Sequence, residues 1–187
     1  GLKTVAMELK KFLSIKTYPT QIMGVLNSND DSFFAGSRFK SADAIIHINT
    51  MIESGASIID IGAVSSRPGA DEVSAEEELA RIKPICDIIQ SEKLYEKAVF
   101  SVDTYTPDVA EYALNSGFTL INDITGASND EIIKLAVKHE AKLCIMHMKG
   151  TPKTMQKDPT YNDVMVEVSD FFEARISKCE ALGLHRK

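Results

Sequence analysis

The sequence has no excess of basic charge: 21 Lys and Arg stand against 27 Asp and Glu, a formal net charge of −6. A mildly acidic chain without a basic block suits neither general nucleic-acid binding nor an anionic membrane surface, so any anion must be held by a few placed groups. No apolar run approaches the ~18–20 residues of a membrane-spanning helix, and no signal-peptide pattern opens the sequence. The three cysteines, Cys86, Cys144 and Cys179, lack C-x-x-C spacing. Free thiols in a reducing cytosol, and with them a cytoplasmic location, are the expectation. His47, His139, His147 and His185 have no H-x-x-x-H or Cys-spaced partner, which argues against a zinc site. Absent too are G-x-G-x-x-G, G-x-x-x-x-G-K-[ST] and G-x-S-x-G, which counts against dinucleotide binding, a phosphate loop and a serine-hydrolase elbow.

What is present is 187 residues of ordinary globular composition, 44% hydrophobic and 26% charged, in the range of one domain with a sizeable core. Short runs rich in Ile, Val and Leu occupy 21–26, 56–61, 98–102, 118–121 and 141–146. Such near-continuous runs predict parallel strands buried on both faces. Between them the apolar spacing becomes helical: Leu79, Ile82, Cys86 and Ile89 share one face. Ser74 with Glu77, and Ser128 with Glu131, read as capping boxes. Thr106-Pro107 opens a further helix that Gly117 stops. The last helix is expected over about 163–182, with Val164, Val168, Phe171, Phe172, Cys179 and Leu182 inward and Gly183 ending it. The run Glu76-Glu77-Glu78 reads as a solvated first turn that favours the helix dipole.

Strict alternation of βα units predicts an α/β fold with right-handed crossovers. Two architectures compete, a (β/α)8 TIM barrel and an open doubly wound sheet. A complete barrel takes ~250 residues, so this chain would hold about the first five βα units. It begins at Gly1 and stops at Lys187 just after a helix-ending signal, so a fragment is expected. Residues 1–20 read as an extension with a short amphipathic helix (Val5, Leu9, Phe12, Leu13), and 21–187 as the partial barrel.

Each apolar run ends in a group that can hydrogen-bond or ionise. Asn27 follows the first run, Asp60 closes the second, Asp103 the third, Asn122 and Asp123 the fourth, and His147 the fifth. In parallel α/β folds these ends form the ligand-binding face. Any single Asp or Asn there also serves as a turn former or cap, and His147 between two methionines also suits a packed core edge. Two longer loops follow strand ends. One carries Phe33 and Phe34, which read either as a lid or as packing under the loop. The other, Ser65-Ser66-Arg67-Pro68-Gly69-Ala70, offers hydroxyls and a guanidinium fork suited to carboxylate or phosphate, or to solvent.

Ile22-Met-Gly-Val-Leu-Asn27 before Asp31-Ser-Phe33, Ile59-Asp-Ile-Gly62 with Ser65-Ser-Arg-Pro-Gly-Ala70, Ser101-Val-Asp-Thr104, Ile121-Asn-Asp-Ile124 and Met146-His-Met-Lys-Gly-Thr-Pro-Lys-Thr-Met-Gln156 resemble, in order and spacing, the dihydropteroate synthase family. The resemblance implies a pterin-binding barrel of folate biosynthesis and a sulfonamide target. This transferase joins the pterin methylene of dihydropterin pyrophosphate to the amine of p-aminobenzoate, and it requires Mg²⁺. By motif match, Asp103 and Asn122 would hold the pterin edge, with Met146 lining that pocket. Asn27 would contribute to the Mg²⁺–pyrophosphate site. Ser66 and Arg67 would act near pyrophosphate and p-aminobenzoate, with Phe33 on the first loop and Asp60 organising the loops. A homodimer is compatible with the family. Where the family usually has Thr-Pro this sequence has Asn29-Asp30, and Val64 stands for the usual Glu. The family's later Asp-Pro-Gly-x-Gly-Phe strand, lysine and final Arg-x-His are not in it, so the 187-residue chain alone is expected to be inactive. A pterin-binding methyltransferase domain shares the strand-end Asp and Asn, but Ser-Ser-Arg-Pro-Gly and Met-His-Met-Lys-Gly speak against it. A non-catalytic pterin-binding paralogue would suit the altered first loop.

Overall fold

The apolar runs pair as one five-stranded parallel sheet: β1 (Met23–Asn27), β2 (Ile58–Gly62), β3 (Val99–Asp103), β4 (Leu120–Asp123) and β5 (Lys142–Ile145). This computed structural model describes residues 20–27, 38–64, 72–146 and 164–185. The helices are α1 (Arg38–Glu53), α2 (Ala75–Ser91), α3 (Pro107–Asn115), α4 (Asp130–Lys138) and α5 (Val164–Ala181). The expected helix within 1–20 lies outside the described residues.

Spatial strand order equals chain order, β1-β2-β3-β4-β5. Right-handed crossovers that never reverse direction put every connecting helix on the same side of the sheet. A doubly wound fold needs a reversal, at its switch point, and this sheet has none. The chain is therefore a run of consecutive units of a (β/α)8 barrel.

Packing follows from that one-sidedness. Leu26, Ile59, Ile61, Phe100, Val102 and Ile121 point to the helix side and are buried against Ile48, Ile82, Ile89, Val109 and Ile132. Phe100 and Phe118 add a tilted ring contact at 5.6 Å between centroids. Alternate residues look to the other side. There Asp60 and Ser101 are buried, so β2 and β3 are covered on both faces along most of their length, as their composition suggested, whereas Val25 of β1 is 65% exposed and Val99, at the start of β3, 43%. Among the described residues the helices lie on one face, and in a barrel the inner face is filled by side chains from strands across the lumen, which leaves β1 the more open on that side. Among the described side chains of α5 only Cys179 is buried, joining Ala127 and Ile133; Val168, Phe171 and Phe172, and Leu182 just beyond the helix, are half-buried rather than inward. The side chain of Val164 lies outside the described residues.

Helix starts hold with two changes of partner. Ser74 caps α2, its hydroxyl accepting from the Glu77 N–H at 3.2 Å. At α4 the cap is Asn129, whose side chain accepts from the Glu131 N–H at 3.0 Å; Ser128 instead donates to the Thr125 hydroxyl at 2.8 Å. Thr106 sits at the N-cap of α3 with Pro107 following, but its hydroxyl makes no cap bond.

The ends of α1, α3, α4 and α5 share one device. After α1, α3 and α5 a glycine at positive φ (Gly55, Gly117, Gly183) lets the next N–H reach back to the last full turn, as in Phe118 to the Ala113 carbonyl at 3.1 Å. After α4 the same turn, with Ala141 N–H on the Ala136 carbonyl at 2.8 Å, is made by Glu140 at φ 52. A side chain strains there, and its negative charge opposes the helix dipole. Glu140→Gly is therefore expected to stabilise the fold by about 0.5–1 kcal/mol, read as a higher urea midpoint at unchanged m-value.

Candidate active site

Strand register turns the list of strand-end residues into a surface. Asn27 lies opposite Gly62, Gly62 opposite Asp103, Asp103 opposite Asn122, and Asn122 opposite Cys144. This row crosses all five strands near their carboxyl ends, at about 4.8 Å per strand. Two residues deeper runs a second row, Val25, Asp60, Ser101, Leu120 and Lys142. Both rows sit on the helix-free side.

The register corrects two expectations. Asp60 does not close β2; the strand continues to Gly62, so Asp60 lies one layer below the rim and is buried. Asp123 does not join the row, because the period of two turns it to the helix side. There its Oδ1 accepts from the Thr125 N–H at 2.8 Å and the Thr125 hydroxyl at 2.7 Å, the turn-forming role. Its carboxyl is raised by burial, opposed by Thr125.

The inner rows hold polar atoms without saturated hydrogen bonding. Among the described residues, Asp60 Oδ1, Ser101 Oγ and Asn122 Oδ1 are buried side-chain atoms that make no well-formed hydrogen bond, Ser101 and Asn122 approaching Asp60 only weakly. Burial raises the Asp60 pKa, an effect that the adjacent Ser101 hydroxyl and Asn122 amide oppose. Asp103 is pushed up to about 7, chiefly by burial and then by the charges of Asp60, Glu78 and Asp123. Gly62 lies directly beside it: a Cβ there would come into ordinary contact, 3.4 Å from the Asp103 Cβ and Oδ2. Orphaned buried acceptors cost about 1–3 kcal/mol each, so a pocket lined by them favours a ligand rich in N–H donors.

Asn27 ends β1 and is exposed beside Gly62. Met146 follows β5, 42% exposed, with its N–H on the Asp123 carbonyl at 3.3 Å. Phe33, Ser66, Arg67 and His147 lie outside the described residues. Of the expected site, the structure thus brings Asp103 and Asn122 together on the rim with Asp60 beneath, and Asn27 on the far side of Gly62.

Two contributors were not legible as such. Ser101 lies in an apolar run, although the alternation Val-Phe-Ser-Val-Asp already puts it on the side of Asp103. Glu78 belongs to the acidic run read as solvated; Glu76 and Glu77 are exposed, but Glu78 is buried. Its position four residues before Ile82 on the core face was the available signal.

Residues 23–187 match the family described as pterin binding enzyme. The chain is 42% identical over 167 residues to dihydropteroate synthase of Escherichia coli (strain K12), covering 89% of this chain and 58% of that protein. It is similar to the crystal structure of Yersinia pestis dihydropteroate synthase in a sulfonamide drug complex, with TM-score 0.77 and 38% identity over 88% of this chain and 59% of that one. It is also similar to the dihydropteroate synthase of Thermus thermophilus in complex with 4-aminobenzoate, with TM-score 0.71 and 34% identity over 88% and 57%. The chain thus spans somewhat under three-fifths of the length of the E. coli relative.

Proposed function

Because the chain belongs to the pterin-binding enzyme family, we propose that it forms the pterin-holding part of a dihydropteroate synthase. The reaction would join the methylene of dihydropterin pyrophosphate to the amine of p-aminobenzoate with release of pyrophosphate, a transferase step of folate biosynthesis in the cytoplasm. The carrying observation is the pair Asp103 and Asn122, opposite one another on adjacent strands of the helix-free side. A carboxylate accepts two parallel N–H donors from a guanidine-like pterin edge, and the neighbouring amide offers both an acceptor and donors. The unsatisfied Asn122 Oδ1 supports this reading.

Asp103 binds and orients; it is not the nucleophile. The attacking group is the amine of p-aminobenzoate, so the chain's task is to align the pterin methylene and exclude water from it. Ser66 and Arg67 are proposed to act on pyrophosphate and p-aminobenzoate, with Phe33 covering the site. Asp60 is proposed to support the pocket from the layer beneath the rim.

For Mg²⁺ the donor chemistry fits one arrangement. Among the described residues no group of three or more His, Cys, Asp or Glu is placed to hold a metal ion. The exposed Asn27 offers a single hard amide oxygen, suited to an ion that arrives with the substrate's phosphates and keeps several waters. Bound there, Mg²⁺ would offset charge on the departing pyrophosphate.

The test is pyrophosphate release by the full-length protein with dihydropterin pyrophosphate. Release is expected to depend on p-aminobenzoate, to yield pteroate and to be inhibited by a sulfonamide in competition with p-aminobenzoate. Pterin binding without turnover, as in a non-catalytic paralogue, or methyl transfer in place of pyrophosphate release would reject the reading.

A further inference from the structure

Glu78 stands in the first turn of α2, with 6% of its surface exposed. Both its oxygens are taken by the segment that leaves β3: Oε2 accepts from the Thr104 hydroxyl at 2.6 Å and Oε1 from the Thr106 hydroxyl at 2.6 Å. The Thr104 hydroxyl in turn accepts from the Thr106 N–H at 3.0 Å. From the other side, the Thr104 N–H donates to the Asn122 carbonyl at 3.3 Å. The residue directly after Asp103 is thereby gripped by α2 and β4 together. A helix cap does not require this arrangement, since the Thr106 hydroxyl at the N-cap position would ordinarily serve its own helix. Among the described residues the Glu78 carboxylate is held by neutral hydroxyls, a costly choice for stability alone, and what it supplies is a fixed backbone path.

Resting on the reading of Asp103 as the pterin's partner, we propose that Glu78 is a positioning residue, which aims the Asp103 carboxylate at the pterin by clamping Thr104 and Thr106. It also acts through charge. Asp103 feels the negative charge of groups on three elements, Asp60 on β2, Glu78 on α2 and, from the helix side, Asp123 on β4, with Tyr105 near it on its own loop. Among these, Glu78 is the one whose contacts hold the Asp103 loop itself.

Three variants of the full-length protein separate the roles, with pterin binding measured by calorimetry across pH using dihydropterin pyrophosphate. Glu78→Gln keeps the shape, since its amide accepts from one threonine and donates to the other, but it removes the charge. Affinity at pH 8 is expected within about threefold of wild type, with the pH midpoint of binding lowered by about half a unit or more. Glu78→Leu removes both acceptors and is expected to weaken pterin binding about tenfold or more at every pH. Thr106→Val removes one bond with little change of volume and should fall between, which keeps the test alive if Glu78→Leu fails to fold. Unchanged affinity and pH midpoint in Glu78→Gln and Thr106→Val, beside lost binding in Asp103→Asn, would overturn the proposal while leaving the pocket reading intact. Lower thermal stability alone would overturn it as well. Wild-type binding by Asp103→Asn would remove the pocket reading on which the proposal rests.

Discussion

Asp103→Asn is expected to weaken pterin binding about 100-fold while making the folded protein more stable above neutral pH. The first effect follows from replacing an acceptor-only group by an amide, which leaves one pterin N–H facing another donor and removes charge assistance from the rest. Two such losses amount to about 3 kcal/mol, or two decades in affinity. The second effect has its origin in the raised pKa. Asp103 moves from 3.8 to about 7 on folding. Between those values the unfolded chain has released a proton that the folded chain still holds, so stability falls as pH rises through this window and stays low above it. Asn carries no such cost. Taken whole, the shift corresponds to about 4 kcal/mol; with the partial exposure of Asp103, a gain of about 1–3 kcal/mol at pH 8 is expected. Urea denaturation should therefore show the variant matching wild type near pH 4 and exceeding it at pH 8. Wild-type pterin affinity should rise with pH through 7, whereas the variant's stays weak and flat. An equal loss of p-aminobenzoate affinity in the variant would reject the assignment of Asp103 to the pterin.

Asp103 and Asn122 were legible in the sequence because each ends an apolar run, and parallel pairing carries ends to one rim. Asp60 was legible as a site residue but not at its depth. The run there looks finished at Ile61, while the strand extends to Gly62 and its alternation drops Asp60 a layer. Asp123 needed register as well as sequence, since adjacent strand residues face opposite sides and only the hydrogen-bonded pairing tells which side is which. Glu78 was hidden for another reason. An acidic first turn is fully explained by the helix dipole, and the one signal that singles out Glu78, its place one turn before Ile82 on the core face, speaks for burial without naming a partner. The cap of α4 shows the same limit: Ser128 and Asn129 are both good N-caps, and the choice falls to Asn129 because Thr125 has already taken the Ser128 hydroxyl. Helix ends were the most legible feature, since Gly117 and Gly183 announce them by composition. Glu140 shows that the turn forms even without its glycine when the strand behind it pairs.

Gly126→Ala is expected to destabilise the protein by about 2–4 kcal/mol and to weaken pterin binding with it. Gly126 lies in the turn after β4 at φ +66, where an L side chain is strained, and the adjacent buried Ala127 already carries a positive φ of 58. A Cβ on Gly126 would stand 2.3 Å from the Phe171 Cζ of α5 and 2.8 Å from the Met146 carbonyl oxygen. The ring edge can swing aside, but the carbonyl has little freedom. The Asp123 carbonyl accepts from both the Gly126 N–H at 3.1 Å and the Met146 N–H at 3.3 Å, so the turn and the exit of β5 hang from one atom. Relief of the clash must separate them, lengthening those bonds and moving Met146, the residue proposed to line the pterin pocket. Part of the cost would therefore appear as lost affinity, in contrast to Asp103→Asn, which trades affinity for stability. Urea denaturation and pterin calorimetry on one preparation distinguish the two patterns. A cost below about 1 kcal/mol with wild-type binding would mean that the turn and the end of β5 are not joined through Gly126.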